Sequence, residues 1–157
     1  MARKTIAMRL LEGKGIPYEA ITYPDDERDA VRVAEHVGAP PHQVFKTLVV
    51  VRERGKPFLA MVPADSELDL KQMARAVGEK KLSMASHAEA ERLTRLQVGG
   101  ISALALINRG FDMVLDASAQ QYEAIYISAG EKGIQIRVPV EGLVALTSAQ
   151  LLSVAAD

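Results

Sequence analysis

The chain has 157 residues, 19 basic against 20 acidic side chains and a formal net charge of −1. That length fits a single domain over residues 1–157, and so even a charge balance excludes broad wrapping of duplex DNA. Apolar residues make up 48%, cysteine and tryptophan are absent, and no apolar run approaches the roughly 20 residues that span a bilayer, which describes a soluble, cytoplasmic protein with an aliphatic core and no disulfide framework, thiolate nucleophile or Cys-ligated metal.

The opening "MARKTIAMRLLEGKG" has an apolar part too short and interrupted for a signal peptide. A first helix is predicted over Thr5 to Glu12, with Ile6, Leu10 and Leu11 inward and Gly13 or Gly15 stopping it. "YEAITY", Tyr18 to Tyr23, alternates as a strand does, and "PDDERD" is an acidic loop. Ala30, Val33, Ala34 and Val37 are spaced for a short helix closed by Gly38. "VFKTLVVV" and "PFLAMV", joined by the turn "RERGK", read as an antiparallel hairpin. Asp69 with Gln72 opens a helix that carries Leu70, Met73, Ala74 and Val77 and ends at Gly78. "KKLSMA" is a short strand, and Ser86 with Glu89 caps a helix to about Leu93. "VGGISALALI" reads as a Gly-Gly corner running into a strand, with a hairpin-type turn at Asn108-Arg109-Gly110. "MVLDA", "AIYIS" and "IQIRV" are strands, "SAQQ" supplies one helical turn, and Thr147 is expected to cap a final helix carrying Leu151, Leu152 and Val154. The sum is an α+β (mixed α/β) fold, with a curved, mostly antiparallel or mixed sheet flanked by short helices.

Several chemistries lack their motifs. His36, His42 and His87 stand in no metal-binding spacing and read as surface residues. The acidic run Asp25, Asp26, Glu27, Asp29 lacks the glycine and final glutamate of a calcium loop. There is no nucleophile elbow, dinucleotide fingerprint or phosphate loop, so no cofactor is expected.

Three places remain. Lys46 shares a strand face with Val44, Leu48 and Val50; it is either a strand-start lysine with a packed stem and a wet head, an edge guard, or a pocket cation that holds a phosphate, carboxylate or oxyanion. "VGGIS", Val98 to Ser102, is either a plain turn or a corner whose N–H groups face an oxyanion. Ser128 ends a strand before the loop "AGEKG", a place shared by hairpins and binding residues.

In order and together, "VFKTLVV", "LDLKQMARAVGEKKLSMA", "VGGIS" and "IYISAGEKGI" resemble the YbaK family of free-standing prolyl-tRNA editing domains. The resemblance covers nearly the whole chain. It implies deacylation of mischarged tRNA at the 3′ acceptor end, with Cys-tRNA(Pro) as the typical substrate, no cofactor, and prolyl-tRNA synthetase as a possible partner. It also implies roles for Lys46, Gly99 and Gly100 in catalysis, and for Tyr23, Thr47, Ile101, Ser102 and Ser128 in substrate binding. The family mechanism lets the substrate thiol attack its own carbonyl. Arg95 and Leu96 replace a common Gly-Tyr pair, Ala103 and Ala105 replace Pro and Gly, and Ala129-Gly130 replaces paired glycines, which bears on amino-acid specificity. The alternatives are a deacylase for alanyl, seryl or threonyl esters, or a non-catalytic module that binds an aminoacyl or nucleotide group. Arg92, Arg95, Arg109, Lys132 and Arg137 are candidate phosphate contacts, each with a solvated-surface role as its plain alternative.

Overall fold

Helix ends are set by short polar side chains. In a computed structural model that describes residues 4–156, the Thr5 side chain accepts from the Met8 N–H and starts helix α1, Ile6–Gly13. Asp29 does the same for α2, Ala30–Val37, Asp69 for α3, Leu70–Val77, and Ser86 for α4, His87–Thr94. Gly38 and Gly78 close α2 and α3 in the left-handed conformation, with φ of 75° and 79°. A fifth helix, α5, covers Val140–Thr147.

The strands form two principal sheets. Five strands make a mixed sheet in the order β5-β2-β3-β6-β9. They are β2, Phe45–Arg52, β3, Phe58–Pro63, β5, Leu82–Met84, β6, Asp112–Asp116, and β9, Gln150–Leu152. β2 pairs antiparallel with β3 and β5, while β6 runs parallel to both β3 and β9. The second sheet, wholly antiparallel, orders β1 (Glu19–Thr22), β8 (Ile134–Pro139) and β7 (Ala124–Ser128). A single parallel bridge, Val44 to Tyr126, joins the start of β2 to β7. β4, Glu67–Leu68, pairs with the last strand, β10, Ala155–Ala156.

Every residue of β3 is buried, because both of its faces are covered, as the period of two requires. Leu59 and Met61 face the larger core with Phe45, Val49, Leu115 and Ile127, which helix α1 covers with Ala7, Met8 and Leu11. Phe58, Ala60 and Val62 face a second cluster closed by Met73 and Ala74 of α3. Among the described residues, no helix is long and apolar enough to cross a membrane.

The chain departs from the expected elements at four places. Ile6 is 66% exposed, and Ala7 and Met8 take the inner face of α1. "GISALALI" forms no strand; Leu104–Leu106 is a 3-10 turn with Leu104 and Leu106 buried, since a short apolar run carries no period that separates strand from buried turn. The turn at Asn108–Gly110 therefore leads from that 3-10 turn into β6 and joins no hairpin. Thr147 ends α5 rather than starting a helix: its hydroxyl donates to the Leu143 carbonyl and accepts from the Ala149 N–H. Leu151 and Leu152 then lie in β9.

Asp116 anchors the chain's end. It is 5% exposed, and its Oδ1 accepts from the N–H groups of Val154 and Ala155, both at 2.9 Å. Its Oδ2 accepts from the N–H and hydroxyl of Ser118. A carboxylate with four donors is satisfied, and removing it strands two N–H groups of the final segment. Asp116→Ala should lower the unfolding free energy by about 3 kcal/mol in a urea titration. A change within about 0.5 kcal/mol of zero, the range of an ordinary surface substitution, would contradict this clamp.

Candidate active site

On one side β2 pairs with β3 continuously from Phe45 to Val50. On the other side β5 reaches just Val50, Val51 and Arg52, with one further bond from the Ala85 N–H to the Val49 carbonyl at 3.1 Å. In an antiparallel ladder, alternate residues turn their main-chain groups to the same side. Val49 faces β5, so Thr47 also faces away from β3, into the gap between β5 and the Val44–Tyr126 bridge. A cavity of about 300 Å³ opens on that gap and is lined by six consecutive residues, Val44 to Val49. This is why Lys46 and Thr47, on opposite faces of one strand, border the same space.

The remaining walls come from segments spread along the chain. Tyr23 follows β1, and its N–H donates to the Gly133 carbonyl at 2.9 Å. Glu27, Arg28, Ala30 and Val33 come from the acidic loop and α2, Met84 and Ala85 from β5 and the residue after it, and His87 and Ala90 from α4. Val98, Gly99 and Ile101 come from the glycine corner, and Ser128 and Gln135 from β7 and β8. Aliphatic side chains dominate these walls.

Lys46 is half-buried, and its Nζ donates to the Ala64 carbonyl at 3.4 Å. It makes no ion pair with any described residue. A cation held by one long contact to a neutral carbonyl keeps most of its donor capacity for an anion. Ser128 is 9% exposed, and its Oγ accepts from the Gly130 N–H at 3.1 Å, which leaves the hydroxyl proton for another acceptor.

The glycine corner is fixed from two sides. Glu91 of α4 accepts from the Val98 N–H at 2.8 Å, and the Gln97 carbonyl accepts from the Gly100 N–H at 2.8 Å. The N–H groups of Gly99 and Ile101 donate to no described acceptor. Gly99 has φ of +97°, a conformation that favours glycine. Gly100 serves packing: a Cβ there would lie 3.0 Å from the Lys132 nitrogen and 3.1 Å from the Glu131 carbonyl carbon.

The cavity thus gathers Tyr23, Lys46, Thr47, Gly99, Ile101 and Ser128. It does not gather Gly100, which borders a second, more polar cleft with Asp25, Arg95 and Lys132, nor Ser102, which is fully buried behind the corner. The remaining candidate phosphate contacts, Arg92, Arg109 and Arg137, border neither cleft. Reasoning from the sequence missed Arg28, His87 and Gln135. His87 was expected on the surface; it is exposed, yet it borders the cavity at the first turn of α4. Glu27, from the loop expected to be merely solvated, borders the cavity too and pairs with His36 at 3.3 Å. Among the described residues no group of acidic or histidine side chains could hold a metal ion.

Three comparisons bear on this arrangement. Residues 25–146 match the model of the aminoacyl-tRNA editing domain family. A protein of Enterococcus faecalis, named provisionally as a Cys-tRNA(Pro)/Cys-tRNA(Cys) deacylase, is 37% identical over 97% of this chain and 93% of its own length. A proline–tRNA ligase of Thermodesulfovibrio yellowstonii is 28% identical over 70% of this chain, which corresponds to 18% of the ligase. Among solved structures, one titled provisionally as a trans-editing enzyme for prolyl-tRNA synthetase superposes with a TM-score of 0.83, at 29% identity over 99% of this chain and all of that one. The chain belongs to the aminoacyl-tRNA editing domain family, and its α+β fold is that of the solved relative.

The two glycines should respond differently to a methyl group. Gly100→Ala should shift the amide resonances of residues 130–133, because the neighbouring atoms are backbone and cannot rotate away. Gly99→Ala meets only the Lys132 and Arg28 side chains at 3.6 Å or more, so it should leave that loop in place while costing about 1 kcal/mol in backbone strain. Equal displacement of the loop in both variants would contradict the packing role of Gly100.

Proposed function

We propose that this member of the aminoacyl-tRNA editing family acts in trans as a deacylase of mischarged tRNA(Pro), with Cys-tRNA(Pro) as its best substrate. The observation that carries the reading is the cavity at the free edge of β2. It offers an unpaired ammonium, two free N–H groups and a hydroxyl around a small aliphatic space, but no cysteine, serine–histidine pair or metal cluster placed to attack. The site is built to hold an ester and stabilise charge rather than to supply a protein nucleophile.

The substrate brings the missing part. A cysteinyl ester carries a thiol with a reference pKa of about 8.5. As thiolate it attacks its own carbonyl carbon, and the C–S bond forms as the carbonyl π electrons move onto oxygen. The N–H groups of Gly99 and Ile101 are the free donors of the corner for that oxyanion. Collapse breaks the bond to the ribose oxygen, which takes up a proton as the free tRNA end. The acyl group leaves as a four-membered thiolactone that water opens. Positioning is the protein's main contribution.

Lys46 holds either the developing oxyanion or the terminal phosphate, and Tyr23, Thr47 and Ser128 border the aminoacyl and adenosine groups. The chain, near neutral overall, acts as one editing unit in the cytoplasm, grips the single-stranded acceptor end, and takes selection of the tRNA body from a partner such as prolyl-tRNA synthetase. His87 at the rim supports a second route, in which a water attacks esters that lack a thiol.

Release of amino acid from cysteinyl, seryl and alanyl esters on the same tRNA tests the reading. The cysteinyl ester should be fastest, with a rate that rises with pH as its thiol ionises, the seryl ester far slower and the alanyl ester nearly inert. Lys46→Ala should fold normally and lose about a hundredfold in rate, and Lys46→Arg should rescue it poorly, since a planar fork does not replace a compact ammonium. An alanyl ester cleaved as fast as the cysteinyl one would mean that water attacks, and release from none of the three would leave a binding module.

A further inference from the structure

Two buried side-chain atoms among the described residues have no hydrogen-bond partner, Ser102 Oγ and Gln135 Oε1. Their places differ. Ser102 is fully buried behind Gly130 and borders neither of the two clefts. Gln135 is 6% exposed and lines the cavity at the edge of β2. A buried amide oxygen without a donor costs about 1–3 kcal/mol, and such orphans are rare enough in folded proteins to need a reason.

The backbone of Gln135 is held on both sides. It lies in β8, the middle strand of its sheet, opposite Ile21 of β1 and Ser128 of β7. Donors border the cavity, Lys46, Thr47 and Ser128 among them, but none is hydrogen-bonded to the Gln135 oxygen. Turning the amide about its last bond exchanges oxygen and nitrogen in nearly the same volume, so the carbonyl can face the cavity without repacking.

We propose that Gln135 accepts a hydrogen bond from the α-amino group of the aminoacyl ester and sets the requirement for a free amine; this rests on the deacylase reading above. Around the scissile bond, the carbonyl and ester oxygens are acceptors and suit the N–H groups of the corner. The α-amine is the donor of the acyl group itself, next to the carbon under attack. Inside an apolar cavity it needs an acceptor, and an unpaired one is costly on both sides. A neutral carbonyl accepts from the amine in either protonation state. Gln135 also fits the pattern of a functional residue kept at some expense of stability.

The test uses Gln135→Met, which keeps length without a strong acceptor, and Gln135→Glu, which keeps an acceptor. Each protein is assayed on two esters of one tRNA, the aminoacyl group cleaved fastest in the panel above and the same acyl group lacking its α-amine. Each kcat/KM is divided by the spontaneous hydrolysis rate of that ester, because the amine itself activates the carbonyl. The wild type should favour the amino ester by roughly tenfold, mainly through KM, Gln135→Met should lose that preference, and Gln135→Glu should retain it. Gln135→Met should also melt at the same or a higher temperature, since it removes an unpaired buried atom. A wild type that cleaves both esters alike, or a Gln135→Met protein that keeps the preference, overturns the role of Gln135 and leaves the deacylase reading intact. A wild type that cleaves neither overturns both.

Discussion

An unpaired stretch of strand edge organises this molecule. β5 pairs with only the last part of β2, and β7 is bridged only to Val44 just before it, so Thr47 has no paired strand on that side. Exposed edges recruit other strands unless they are covered or interrupted. Here the edge is walled in by α2, α4, the glycine corner and the three-stranded sheet, and the walls enclose a cavity instead of completing the ladder. Lys46 is held there because the hydrophobic run that follows it is pinned to β3 on the opposite side, which leaves the lysine half-buried on the cavity wall with its ammonium reaching the Ala64 carbonyl.

The second constraint is the contact between the glycine corner and the loop after β7. Gly100 lets the backbone of Glu131 and Lys132 approach to the limit of van der Waals contact, and the Gly133 carbonyl in turn holds the Tyr23 N–H. Tyr23, the corner and Ser128 are therefore positioned by one set of backbone contacts. In the corner the N–H of Gly100 is spent on the turn, so the donors that remain are those of Gly99 and Ile101. This arrangement suits a reaction in which the protein stabilises charge and the substrate supplies the attacking atom.

Local signals carried much of the fold. Asp69, Ser86, Gly38 and Gly78 mark their helix ends in the sequence, because capping acts within four residues. α5 was invisible: Gly142 interrupts its pattern, and that glycine answers to Ile16, whose side chain would lie 3.1 Å from a Cβ there. The parallel pairing of β6 with β3 and β9 was equally hidden, since register between distant segments leaves no local trace. The same divide runs through the site. The motif residues Lys46, Thr47, Gly99 and Ser128 stand out in sequence, and the structure brings them to one cavity. Gln135 reads as an ordinary polar position in "IQIRV", and only its burial and missing partner set it apart.

The most direct test of the account is an amide-resolved titration of the labelled protein with an amide-linked, non-hydrolysable cysteinyl-aminoadenosine. The amide resonances of Thr47, Gly99 and Ile101 should shift together and saturate at one ligand concentration, while the Gly100 amide, held by the Gln97 carbonyl, should move least within the corner. Shifts confined to the polar cleft around Arg95 and Lys132, with Thr47 and Gly99 unmoved, would contradict the assignment of the active site to the free edge of β2.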